Sequence, residues 1–133
     1  MKSRLDVRRS KSAKYQEPLV LDGDDLLPVS VRVDGEIWTD WTLVEGALHL
    51  PLTGASHIVE ITVELDPSTN TQLMGLYASG GMLCTQCEAE GFRRITFFPD
   101  RPDGTLLCRV PAETARASLT PGTFRRQGLV VLL

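Results

Sequence analysis

Histidine is nearly absent from this 133-residue sequence, with only His49 and His57, and cysteine is confined to Cys84, Cys87 and Cys108. An odd cysteine count excludes a complete disulfide framework and fits a reducing, cytoplasmic compartment. No apolar run approaches the roughly 18–20 residues needed to span a bilayer, so no membrane partner is expected. The basic start "MKSRLDVRRSKSAK" lacks the apolar stretch of a secretion signal. The formal net charge is -3, which leaves no basic footprint for nucleic acid. Phosphate-cradling loops of the G-x-G-x-x-G and G-x-x-x-x-G-K-[ST] kinds are missing, as is the G-x-S-x-G nucleophile elbow. Nor does any segment sustain a 3.6-residue apolar period, which argues against long amphipathic helices.

What is present reads as strands and turns. The chain is 42% hydrophobic and 23% charged, ordinary for a globular domain with a real core. Leu5 and Val7 alternate with charged neighbours in "SRLDVRR". Leu19–Leu21 is a short apolar run before "DGDD". Val29, Val31 and Val33 then alternate strictly, and Asp34-Gly35 supplies a hairpin turn into Glu36–Thr39. "TLVEGALHLPL" repeats this pattern around Glu45-Gly46, with His49 on an outer strand face. His57 is placed in a turn beside Ser56, and Ile58, Ile61, Val63 and Leu65 form a β-branched run ended by Asp66-Pro67. Trp38 and Trp41 are expected to pack at a strand end. Gly75, Gly80 and Gly81 argue for an irregular connection, and "RRITFFP" for a strand stopped by Pro99. The reading is all-β, as an antiparallel sandwich or curled sheet.

Charge divides the chain. Residues 1–103 hold 10 Lys and Arg against 16 Asp and Glu; residues 104–133 hold four Arg against one Glu. The sequence is therefore organised as 1–103, a β domain, and 104–133, a tail of different character in which only Gly128–Leu133 suggests a strand.

The densest chemistry lies in "GGMLCTQCEAEGFRRITFFPD", Gly80–Asp100. Cys84 and Cys87 stand at C-x-x-C spacing. Structural zinc needs four Cys or His ligands, and Cys108, His49 and His57 offer no second knuckle. A thioredoxin-type redox pair needs a helix N-terminus to lower a thiol pKa; here Glu88 and Glu90 oppose thiolate formation. Both sulfurs therefore read as packing residues. Gln86 and Glu88, two apart, share one side of an extended segment. A carboxylate beside an amide can hold a cation such as an α-ammonium group, with its three donors. They can equally be solvated loop residues.

Two stretches, "DGDDLLPVSVRVDGEIWTDWTLVEGAL" and "NTQLMGLYASGGMLCTQCEAEGFRRITFFPDRPD", resemble the N-terminal domain of bacterial aminopeptidase N, a zinc gluzincin aminopeptidase. The resemblance runs from about Ser3 to Asp103 and is most specific over Gly75–Asp103. It implies a largely antiparallel β domain that packs on a thermolysin-like catalytic domain and removes N-terminal residues from peptides with it. It implies that Glu88 binds the substrate α-amine and that Gln86 lines the first specificity pocket. The family's H-E-x-x-H and G-x-M-E-N motifs are absent. The resemblance thus assigns this chain no catalytic residue, no metal ligand and no cofactor of its own, zinc belonging to the full-length enzyme. The chain is expected to be inactive alone. Its implied partners are peptide N-termini when a catalytic domain is present, and a separate catalytic-domain chain. The family domain has further strands before the equivalent of Ser3, so the β domain is expected to be incomplete, and the departure after Asp103 suggests a truncated, split or frame-shifted gene product. The competing expectation is a stand-alone β-rich binding or scaffold module.

Overall fold

The computed structural model describes residues 1–10 and 17–100, with the backbone of 107–109 and 130–132. Two antiparallel sheets dominate it. The first, in spatial order β1-β7-β3-β4, combines β1 (Lys2–Arg8), β7 (Ser56–Val63), β3 (Pro28–Val33) and β4 (Glu36–Ile37). The second, in order β2-β6-β5, combines β2 (Leu19–Leu21), β6 (Ala47–Leu50) and β5 (Thr42–Val44).

Alternation along the strands decides which face is buried. Leu5, Val31, Val33, Val59, Ile61 and Val63 of the first sheet join Leu21, Leu48 and Leu50 of the second in one apolar cluster. On the opposite face of the first sheet, Arg4, Glu60 and Arg32 lie side by side in register. The fold is all-β, with open antiparallel sheets packed as an incomplete sandwich. Trp38 and Trp41 pack half-buried against the same cluster, at strand ends as expected.

Both expected tight hairpins form. Asp34 and Gly35 take φ of 53° and 88°, and Glu45 and Gly46 take 49° and 86°, the positive values that a type I′ turn requires. Asp34 does more than turn the chain. Its Oδ1 accepts the Ile58 N–H at 2.8 Å, and its Oδ2 lies 2.7 Å from His57 Nδ1. These bonds hold its carboxyl pKa below the ordinary value, through the Ile58 backbone bond first and His57 second. His57 accordingly belongs to β7 rather than to a turn.

Two local expectations are corrected. Gly75–Ser79 is a strand, β8, paired with β9 (Met82–Gln86) across a two-residue turn at Gly80-Gly81. Both turn glycines have positive φ, 56° and 79°, so residues read as breakers are the turn of a hairpin. The expected strand over Arg93–Pro99 is instead a 3-10 helix at Gly91–Arg94, followed by one bridge between Phe98 and Asp22. The strand β9 ends at Gln86, and Glu90, with a left-handed φ of 65°, caps the start of the 3-10 helix. After the helix the chain straightens, so Phe97 enters the main cluster while Phe98 faces the other way.

Leu107–Arg109 (β10) pairs antiparallel with Val130–Leu132 (β11), in line with the strand expected near the end of the sequence. The expectation that 104–133 differ in kind falls mostly outside the described residues, as does the connection over 11–16.

Candidate functional site

The segment expected to carry chemistry is built as hairpin, turn and 3-10 helix. Gln86 is the last residue of β9, opposite Gly75. The chain then reverses, and the Gly91 N–H closes on the Cys87 carbonyl at 2.9 Å. Gly91 is needed for this reversal, because a Cβ there would lie 2.4 Å from the Gln86 carbonyl oxygen. That oxygen belongs to rigid backbone and has no rotamer in which to escape. The turn is fixed beneath by Cys87, which packs against the Phe92, Ile95 and Phe98 cluster. Phe92 and Phe98 meet edge to face, their centroids 5.0 Å apart, a favoured aromatic geometry.

Charges hold the 3-10 helix from outside. Arg93 Nη2 reaches Asp100 Oδ2 at 2.7 Å and Glu90 Oε1 at 3.3 Å. Arg94 reaches Asp24 at 2.8 Å and Asp25 at 3.0 Å. The Asp22 and Phe98 backbones exchange hydrogen bonds of 2.8 and 3.2 Å, and Asp22 Oδ2 accepts the Asp100 N–H at 2.9 Å. The acidic run "DGDD" is therefore the clamp that seats the loop on β2.

On this support Gln86 and Glu88 are both exposed. They are not two parallel side chains of one strand, since β9 ends at Gln86. Instead Gln86 Nε2 donates to the Glu88 backbone carbonyl at 3.2 Å. That bond braces the turn through the Glu88 backbone and does not engage its carboxylate. Among the described residues no Lys, Arg or His forms an ion pair with Glu88. A nearby polar depression is bordered by Asp24, Ala89, Glu90, Arg93 and Arg94 and does not include Gln86 or Glu88. Among the described residues the pair therefore stands exposed beside that depression and not in it.

Cys84 and Cys87 form no disulfide. Among the described residues, no group of three or more His, Cys, Asp or Glu is arranged to hold a metal ion. Cys84 lies across from Tyr77 in the hairpin, while Cys87 is an anchor of the small cluster. His49 is half-buried in β6 between Val20 and Thr42. Sequence reasoning missed Glu90, Gly91 and Arg93 as the parts that shape the turn. The run "EGFRR" was the available signal: a glycine after an acid, with a basic residue three positions beyond that acid.

No family model matches the chain. Individual proteins do. Aminopeptidase N of Caulobacter vibrioides is 50% identical over 101 residues, covering 74% of this chain and 12% of that protein. Aminopeptidase N of Escherichia coli strain K12 is 52% identical over 86 residues, covering 65% and 10%. The chain is homologous to bacterial aminopeptidase N. Its fold is similar to a crystal structure of Legionella pneumophila aminopeptidase A in complex with aspartic acid, with a TM-score of 0.72 at 29% identity, covering 81% of this chain and 13% of that one. The chain spans about a tenth of the length of the curated relatives it matches. Among the described residues no helix is long and apolar enough to cross a membrane.

Proposed function

We propose that Gly75–Asp100 presents one wall of a peptide-binding site in an aminopeptidase N-type enzyme, in which Glu88 binds the substrate α-ammonium and Gln86 lines the pocket for the first side chain. The observation that carries this reading is the exposed Glu88 carboxylate, without a cation partner among the described residues, on a turn braced by Gln86 and Gly91. The homology to enzymes named aminopeptidase N supports it.

An α-ammonium group brings three donors and a positive charge, and a carboxylate is an acceptor only. An internal peptide amide brings no charge, so the match favours chain ends. Between exposed groups such a pair is worth at most about 1 kcal/mol. A second wall that excludes water would strengthen it, because charges attract more strongly at low dielectric. This reading therefore needs a catalytic region beyond the described residues, either on the same polypeptide or on a separate chain. In that region zinc would activate water. Among the described residues no group of three or more His, Cys, Asp or Glu is arranged to hold that zinc. A reducing cytoplasm is the compartment that suits Cys84 and Cys87 as thiols.

The test is Glu88→Gln in a full-length enzyme carrying this region. Loss of a charged hydrogen bond of about 1.5–3 kcal/mol would lower kcat/KM on aminoacyl reporter substrates roughly 10- to 100-fold, chiefly through KM. Unchanged efficiency would reject the role of Glu88 and favour a β-rich binding module with no part in peptide cleavage.

A further inference from the structure

The loop between β6 and β7 carries an inference independent of the peptide site. Four successive carbonyls, Leu52 to Ala55, each meet a nitrogen. Arg9 serves three of them. Its Nη2 donates to Leu52 O at 2.7 Å, its Nε to Gly54 O at 3.2 Å, and its backbone N–H to Ala55 O at 2.8 Å. The fourth, Thr53 O, lies 3.1 Å from His57 Nε2. The other ring nitrogen, Nδ1, lies 2.7 Å from Asp34 Oδ2. A Cβ on Gly54 would lie 2.9 Å from His57 Nε2, so the ring sits directly on this peptide.

Both partners of the ring are acceptors. A neutral imidazole has one N–H and donates to one of them; the imidazolium donates to both. The Asp34 carboxyl is held below its ordinary pKa, so it stays an acceptor-only carboxylate throughout the range in which histidines titrate. Being charged, it is the stronger acceptor, and the single proton of a neutral ring goes to Nδ1. The Nε2 lone pair then faces the Thr53 oxygen, with no hydrogen between them.

We propose that His57 is a pH-operated latch on the Thr53–Gly54 peptide, closed by the imidazolium and open once the ring is neutral, while the Asp34 turn stays held in both states. The His57 side chain is 18% exposed, so it exchanges protons with solvent yet remains packed. Few charges surround it. Asp34 comes from the β3–β4 turn, together with Arg32, which donates to Gly35 O at 3.2 Å. Arg9 follows β1 and grips the carbonyls on either side of Thr53. Val7, opposite His57 on β1, is uncharged, as are Ser56 and Ile58 beside it on β7. Asp6 and Arg8, flanking Val7, project from the other face of the sheet. The loop Leu52–Ala55 adds no charge of its own. Arg9 does not lose its proton, so its three bonds persist at every pH and the change is confined to one peptide.

Long-range proton–nitrogen spectra and backbone relaxation of the labelled full chain test this at about pH 5.5 and about pH 8.5, either side of the histidine range. At the lower pH both His57 nitrogens should carry protons, and the Gly54 N–H should have the order parameter of rigid backbone, about 0.85. At the higher pH the remaining proton should be on Nδ1. The Gly54 order parameter should then fall to about 0.6, with Gly35 and Ile58 unmoved. Asp34→Asn should reverse this. The Asn amide oxygen keeps the Ile58 N–H, and its NH2 donates to Nδ1 of the neutral ring. Nε2 therefore keeps its proton, and Gly54 stays rigid at the higher pH. Gly54 order that is the same at both pH values in the parent overturns the proposal. So does a neutral parent ring protonated at Nε2, or an Asp34→Asn chain whose Gly54 loosens at the higher pH as the parent's does. If Asp34→Asn does not fold, as judged by circular dichroism, the parent's two spectra decide the matter alone.

Discussion

Val31, Val59, Ile61 and Leu48 touch one another through side chains that see almost no water; Gly75, Gln86 and Gly91 meet backbone against backbone. The two-sheet core and the hairpin segment above it thus use different physics. Burial in the core is tolerant, because many apolar residues of similar volume can fill the same space. The hairpin segment buries only Phe92, Ile95 and Phe98 as its own cluster. It depends on close approach at glycine and on Arg93 and Arg94 reaching particular acids. Such requirements name individual residues, and the "TQCEAEGFRR" stretch is correspondingly distinctive.

Phe97 is where the two regions join, since it follows the 3-10 helix yet is fully buried in the main cluster. Phe97→Ala should cost about 3–5 kcal/mol. Urea unfolding would show whether both regions lose stability together; a loss confined to the hairpin segment would mean they fold independently. Gly91→Ala should separate them instead. Its Cβ meets the Gln86 carbonyl, so a cost of about 1–3 kcal/mol is expected. Amide shifts should then be confined to the hairpin and its turn, with the sheets unmoved.

Arg93→Ala removes both the Asp100 and Glu90 pairs. Arg93 and Asp100 are each a quarter exposed, so the expected loss is about 1 kcal/mol or less. Its signature is faster hydrogen exchange at Cys87–Arg94 without a change in β7. A uniform change would contradict the idea that these charges act locally.

The smallest effect concerns the core's own polar clasp. The Asp34 carboxyl is held below its ordinary pKa when folded, so its contribution is present at neutral pH. It declines as pH falls below the unfolded value of about 3.9 and is lost through the folded pKa. Asp34→Asn keeps a turn-compatible residue and removes the charge. The variant should be less stable than the parent at pH 7, with the gap closing in acid; a pH-independent gap would show that charge is not what Asp34 supplies.

These contrasts also explain what was legible in the sequence. Alternation at Val31 and Val33 and the turns at Asp34-Gly35 and Glu45-Gly46 are local signals, and the structure follows them, whereas a register shift between Pro28 and Ser30 leaves Val29 exposed, against the strict alternation expected. Gly80-Gly81 was equally local but ambiguous, since glycine both breaks strands and makes their tightest turns. The 3-10 helix at Gly91–Arg94 was not legible, because it is capped by the left-handed Glu90 and held by acids some seventy positions away at Asp24 and Asp25. Gln86 and Glu88 read as neighbours on one side of an extended segment, but the strand ends at Gln86 and the bond from the Gln86 amide to the Glu88 backbone was not legible.

Whether that geometry reads a peptide's amino end is open to one direct measurement. Amide spectra of the labelled chain would be followed during titration with leucinamide and, separately, with N-acetyl-leucinamide. The account predicts weak, saturable shifts at Gln86–Gly91 with leucinamide only, absent in Glu88→Gln. Equal shifts with the acetylated compound, or leucinamide shifts that survive Glu88→Gln, would contradict it.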